Sequence, residues 1–136
     1  MQLNLSTDYA LRIVSRLMTT PGAVSTAVLA NELGISRNYL MKVLKKLKYA
    51  GIIDTERGFS GGCYLALKPE DINFKIVFEA MDDNVVLNRC LEPDSFCSRN
   101  AVETCVFHAF YEDIQKYLDE KFNSSIMSVV ENYENN

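Results

Sequence analysis

Apolar residues recur at helical spacing three times in the first fifty positions. Tyr9, Ala10, Ile13, Val14 and Leu17 follow Ser6-Thr7-Asp8, which predicts a first helix running to the breaker Thr19-Thr20-Pro21-Gly22. Ser25 or Thr26 can cap a second, short helix carrying Val28, Leu29 and Leu33. Gly34 then supplies the left-handed residue on which many helices end. Ser36 caps a third helix that stops before Gly51. Two short helices joined by a tight turn containing glycine make a helix-turn-helix pattern.

Beyond Gly51 the period changes. Ile52 to Glu56 and Cys63 to Leu67 are strand-like, and they bracket the flexible tip Arg57-Gly58-Phe59-Ser60-Gly61-Gly62. A hairpin directly behind a helix-turn-helix is a wing. Pro69 closes this half, and Ile72 to Met81 is predicted as a short helix. Residues 82–100 lose periodicity, and a loop that long in a small protein is usually functional or disordered. From about Ala101 to Phe122 a long helix is expected. Its wide apolar face of Val106, Phe107, Phe110, Ile114, Tyr117, Leu118 and Phe122 exceeds what one neighbour in so small a chain would cover. Asn123-Ser124-Ser125 caps a last helix, Ile126 to Tyr133. The predicted fold is mainly α: a winged helix-turn-helix over 1–68, then a cysteine loop (82–105) and a helical dimerisation region over 69–136.

Charge sharpens this division. The net charge of −4 for 136 residues hides a split: residues 1–68 carry nine Lys/Arg against four Asp/Glu, and residues 69–136 carry five against fourteen. A basic half joined to an acidic half suggests that one end meets phosphate and the other does something else. The chain has no run of about 18 apolar residues and no charged-then-apolar leader at MQLNLSTDYA. A cytoplasmic protein with no membrane contact is therefore expected. In a reducing compartment its four cysteines are better read as thiols or ligands than as a disulfide framework.

On a wheel of about 100° per residue, Leu40, Val43, Leu44 and Leu47 of the third helix fall on one side. Asn38, Lys42, Lys45 and Tyr49 fall on the other, with Arg37 in the first turn and Lys46 and Lys48 flanking. Amide and ammonium donors in this arrangement suit the base edges and phosphates of a major groove. The expected DNA-binding set is Ser36, Arg37, Asn38, Tyr39, Lys42 and Lys45, with Arg57 of the wing reaching the minor groove.

Cys90, Cys97 and Cys105 span the irregular loop and the start of the long helix, and His108 is the only histidine. Three thiolates there can wrap a soft metal centre, and spacing wider than paired C-x2-C leans toward an iron–sulfur cluster over zinc. Cys63, in the wing strand, is expected to be structural.

Leu5-Ser6-Thr7-Asp8-Tyr9-Ala10-Leu11-Arg12, Ile35-Ser36-Arg37-Asn38-Tyr39-Leu40-Met41-Lys42-Val43-Leu44 and Arg57-Gly58-Phe59-Ser60-Gly61-Gly62 together resemble the Rrf-type bacterial repressors. This family includes NsrR-like and IscR-like iron–sulfur sensors, and the resemblance runs through nearly the whole chain. It implies a homodimer crossed through its long C-terminal helices on a palindromic operator. It also implies a 2Fe–2S or 4Fe–4S cluster on Cys90, Cys97 and Cys105 with a fourth ligand. That ligand is either Asp8 of the other subunit or His108, and Asp8 is preferred by a small margin. The family's loop usually places five residues between successive cysteines, where this chain has six and seven.

The expectation is thus a sequence-specific repressor gated at the cysteine loop, without enzymatic activity. A cluster-free thiol/disulfide or ligand-responsive switch is the alternative. A Cys–His108 enzyme lacks a third orienting group, and the basic face of the third helix argues against a pure protein adaptor.

Overall fold

The computed structural model describes residues 2–136. Three helices open the chain: α1 (Leu5–Met18), α2 (Thr26–Leu33) and α3 (Arg37–Tyr49). Helix α1 begins earlier than its sequence suggests, with Asn4 at the N-cap and Ser6-Thr7-Asp8 inside the first turn. The other two start where expected. Ser25 Oγ accepts from Val28 N and Ser36 Oγ accepts from Tyr39 N, each satisfying a donor left free by the helix start. Gly34 ends α2 at φ 66°, a conformation that costs glycine nothing, and this sets the tight turn into α3.

Strands β1 (Ile53–Glu56) and β2 (Gly62–Leu65) pair antiparallel with Ile53 opposite Leu65 and Glu56 opposite Gly62. The hairpin is shorter than predicted at its open end, where β1 starts at Ile53 and β2 stops at Leu65, while β2 begins one residue earlier than expected, at Gly62. It is pinned to the helices by a second pairing, in which Val24 and Cys63 exchange both backbone hydrogen bonds at 2.9 Å. A Cβ at Gly62 would run into the Val24 carbonyl, so the chain can pass this closely only with glycine there.

The helix predicted over Ile72 to Met81 is α4 (Phe74–Ala80), capped by Asn73 Oδ1 and preceded by a single 3-10 turn at Pro69–Asp71. The largest correction falls on the long helix. It is α5 (Val106–Phe122), not a helix from about Ala101, because Val102–Thr104 closes a separate 3-10 turn and Cys105 is extended at the N-cap. Helix α6 (Ile126–Glu134) starts at the Ser125 cap.

One core joins Ala10, Ile13, Val14 and Leu17 of α1 to Leu40, Val43, Leu44 and Leu47 of α3. The same core takes in Ile52, Ile53, Cys63, Ile72, Val77, Met81 and Ile126, so the wing, α4 and the start of α6 all rest on it. Helix α5 lies outside it and contributes no buried residue.

Candidate nucleic-acid interface and cysteine pocket

The split expected for α3 is present. Leu40, Val43, Leu44 and Leu47 are at most 2% exposed, while Arg37, Asn38, Lys42, Lys45 and Tyr49 face outward. Burying four large aliphatic side chains stabilises by roughly 1.5–3 kcal/mol each. This fixes the rotation of α3 and therefore which residues it presents. The lysines are not equivalent. Lys46 Nζ bonds Asp82 at 2.9 Å, and Lys48 Nζ donates to Thr55 Oγ1 at 2.7 Å, so the two flanking lysines, though exposed, are engaged within the chain. The ion pairs recorded on this helix are those of Lys46 and Lys48, which leaves the Lys42 and Lys45 ammonium groups available.

The remaining expected contacts have mixed duties. Ser36 is the cap of α3, and Tyr39 is half-buried with its ring edge-on to Tyr9 at 5.7 Å. Arg37 reaches Thr26 Oγ1 at 3.3 Å, which steadies its guanidinium at the start of α3. Arg57 stands exposed on the wing. Beside it Phe59 is fully exposed, an aromatic at the wing tip that the sequence reading did not single out.

The three loop cysteines and His108 line one open cavity of about 340 Å³. Cys90 sits in a 3-10 turn at Arg89–Leu91, Cys97 in the following loop and Cys105 at the start of α5. The His108 imidazole meets Cys90, with Nδ1 at 3.3 Å from Sγ. Asn88 Nδ2 donates to the same sulfur at 3.4 Å, and Arg99 Nη2 to Cys105 Sγ at 3.8 Å. Backbone N–H groups of Ala101 and then Arg99 hold the Cys97 thiol below the usual thiol range, since hydrogen bonds favour its anionic form. Arg89 braces the loop through Asp94 and Glu92 and lies over the Phe96 ring.

This donor set suits a soft centre: three sulfurs and an imidazole around one space, with N–H groups directed at sulfur. Among the described residues, no three thiol, imidazole or carboxylate groups stand close enough to grip a single ion. Asp8 does not reach this cavity within the chain and instead pairs with Arg12 at 3.0 Å. Cys63 is separate in every respect. It is fully buried, its Sγ lies 3.7 Å from the Val24 carbonyl, and burial pushes its thiol up to about 11.

Above the pocket, α5 shows solvent an apolar stripe of Val106, Phe107, Phe110 and Tyr117, each at least 60% exposed. Its inner side packs Phe122 edge-on against Phe78 at 4.9 Å. No helix among the described residues is long and apolar enough to cross a membrane.

Comparison with known proteins agrees with this architecture. The family profile "Rrf2", described as "Iron-dependent Transcriptional regulator", matches residues 3–132. The Bacillus subtilis HTH-type transcriptional regulator NsrR is 31% identical over 136 residues, covering 98% of this chain and 93% of that protein. Among solved structures, CymR, described as the global cysteine regulator of B. subtilis, superposes with a TM-score of 0.74 at 18% identity. That match covers 96% of this chain and 97% of CymR. The IscR of T. potens superposes with a TM-score of 0.72 at 21% identity, covering 98% of this chain and 88% of IscR. At these identities the two superpositions bear on fold alone.

Proposed function

The chain belongs to the Rrf2 family of transcriptional regulators, and from that premise we propose that it is a cytoplasmic, homodimeric, sequence-specific repressor gated by the state of its cysteine pocket. The observation that carries the gating is the convergence of Cys90, Cys97, Cys105 and His108 on one cavity, though they are spread along an irregular loop and a helix start. In this reading Asn38 and Arg37 reach base edges of double-stranded DNA and Lys42 and Lys45 neutralise phosphates. Ser36 and Tyr39 lie within reach of the backbone, and Arg57 enters the minor groove. The exposed stripe of α5 is covered by a second copy, so that two α3 helices meet the two halves of a palindromic operator.

An iron–sulfur cluster, 2Fe–2S or 4Fe–4S, is the group this pocket suits, held by Cys90, Cys97 and Cys105. When bound, such a cluster supplies reversible electron exchange and iron open to oxidants and small ligands. The chain's own part is to bring the three sulfurs to one cavity, with Ala101 and Arg99 N–H groups favouring the anion at Cys97. Within one chain His108, 3.3 Å from Cys90, supports itself as the fourth donor. Asp8 could serve only from the partner subunit, after giving up Arg12. A second reading is favoured by the acidified Cys97 thiol: a disulfide switch, in which two pocket thiols lose two protons and two electrons to a peroxide, which is reduced to water.

Anaerobic purification followed by a visible spectrum with iron and sulfide content separates the readings. Visible absorption with bound iron and sulfide is expected, lost in the variant Cys90→Ser. Retention of the cluster in His108→Ala with its loss in Asp8→Ala would assign the fourth ligand to the partner. A colourless, iron-free protein after reconstitution refutes the cluster and leaves the disulfide switch.

A further inference from the structure

Helix α5 grips the chain leading to Cys90 at two points on one face. His108 meets Cys90 itself, and roughly two turns on Gln115 holds the backbone just before it. Gln115 Nε2 donates to the Val85 carbonyl at 3.0 Å, and Leu87 N donates to Gln115 Oε1 at 2.8 Å. One side-chain amide therefore bonds this segment as a neighbouring strand would.

The other end of the segment is tied to α1 and to the DNA-reading helix α3 by two adjacent acids. Asp83 Oδ2 accepts from Asn4 N at 2.8 Å and from Thr7 Oγ1 at 2.6 Å. Asn4 makes no side-chain cap bond, so a carboxylate from far along the chain caps α1, where the helix dipole favours negative charge. Thr7 is fully buried, and its hydroxyl has this carboxylate as its acceptor. Asp82, at the unusual φ of 56°, turns the other way to Lys46 of α3. Helices α1 and α3 share one core, so a change in the seat of α1 is felt at the outward face of α3.

We propose that Asp83 and Gln115 are positioning residues that carry the state of the cysteine pocket through α1 to the DNA-reading helix α3. The inference rests on the reading of the pocket as the sensing site and names the route by which it acts. A displaced Cys90 is translated along the 83–90 segment because Gln115 prevents slack from accumulating at Val85–Leu87. Asp83 then delivers the displacement to the N-terminus of α1.

The test compares two states of the full-length protein on a duplex selected from a random pool by the wild type. One state is anaerobic and reduced with dithiothreitol, and the other is treated with hydrogen peroxide, which changes either a cluster or free thiols. Wild type is expected to differ between the states by about tenfold in affinity, within the usual range of allosteric coupling. Gln115→Ala, and the pair Thr7→Val/Asp83→Ala, which removes both halves of the bond so that no buried hydroxyl is stranded, are expected to bring that ratio close to one. A purely structural role would lower both affinities and leave the ratio intact, and the two variants lie on different elements, so one carries the test if the other melts early. A full wild-type ratio in the variants overturns the inference while gating stands. A wild type that binds equally in both states overturns the gating reading itself.

Discussion

Helices α3 and α5 are both amphipathic, yet α3 buries Leu40, Val43, Leu44 and Leu47 while α5 has no fully buried residue and shows Phe107 and Phe110 to solvent. For α3 the apolar face is covered by α1 from within the same chain, and the face left over is polar and cationic. For α5 the face left over is aromatic, which a soluble chain rarely leaves as a contiguous patch without an interaction to fill it. The charges follow the same division, with net basic residues through position 68 and net acidic residues after it. In the proposed reading the first region offers its surface to a polyanion and the second is completed by a partner; the cysteine pocket is lined wholly by residues of the second.

The sharpest way to break this contrast is to truncate one residue from each helix. Leu40→Ala should cost about 2–5 kcal/mol of stability in urea unfolding, through lost burial and a residual cavity. Phe107→Ala at high dilution should cost far less, because that ring has little to leave. Equal losses would mean that α5 is packed more tightly than its exposure indicates. At micromolar concentration the expected order reverses for assembly. Phe107→Ser combined with Phe110→Ser should turn a sedimenting dimer into a monomer, whereas Leu40→Ala affects assembly only through folding. A monomeric wild type contradicts the completed-by-a-partner account.

A smaller effect tests the α3 surface. Lys42→Ala and Lys45→Ala should each reduce the salt slope of DNA binding by about one unit, with stability unchanged within about 0.5 kcal/mol. Lys46→Ala should do less to the slope, since Asp82 already occupies that ammonium. An unchanged slope in the first two variants would refute the assigned face.

The mildest test uses the thiols. Cys97, held below the ordinary range, should alkylate with iodoacetamide at lower pH than a free thiol, while buried Cys63 stays silent until the fold opens. Below the ordinary thiol value Cys63 is neutral whether folded or unfolded. Between that value and about 11 only the unfolded chain ionises, so Cys63 makes stability fall with rising pH across that window. A Cys63→Ala variant should show a flatter alkaline limb in pH-dependent unfolding.

The contrast between the halves is also a contrast in how far sequence reasoning reaches. Ser25, Gly34 and Ser36 act on neighbours within a few positions, so their roles as caps and turn were readable, as was the Leu40–Leu47 stripe. The start of α5 was not. Residues 101–104 look periodic, but Asn100 at φ 50° and the 3-10 turn at Val102–Thr104 reset the chain, so that α5 begins only at Val106. The Asp83 cap on α1 and the Asp82 bond to Lys46 join residues distant in sequence, and no local signal announces them. Gln115 was invisible for the same reason, because its partners are backbone groups of a loop that only the fold brings alongside. Phe59 carried a signal that was overlooked, since an aromatic in a glycine-rich tip has little in the chain to pack against.

The central claim is that the acidic half governs what the basic half does to DNA. The most direct measurement is the operator affinity of the Cys90→Ser/Cys97→Ser/Cys105→Ser variant, reduced and after peroxide, beside wild type. The account predicts that the variant folds, keeps the wild-type salt slope on non-specific DNA and has one operator affinity in both conditions, while wild type has two. A variant that still responds to peroxide as wild type does would place the gate elsewhere in the chain and contradict the account.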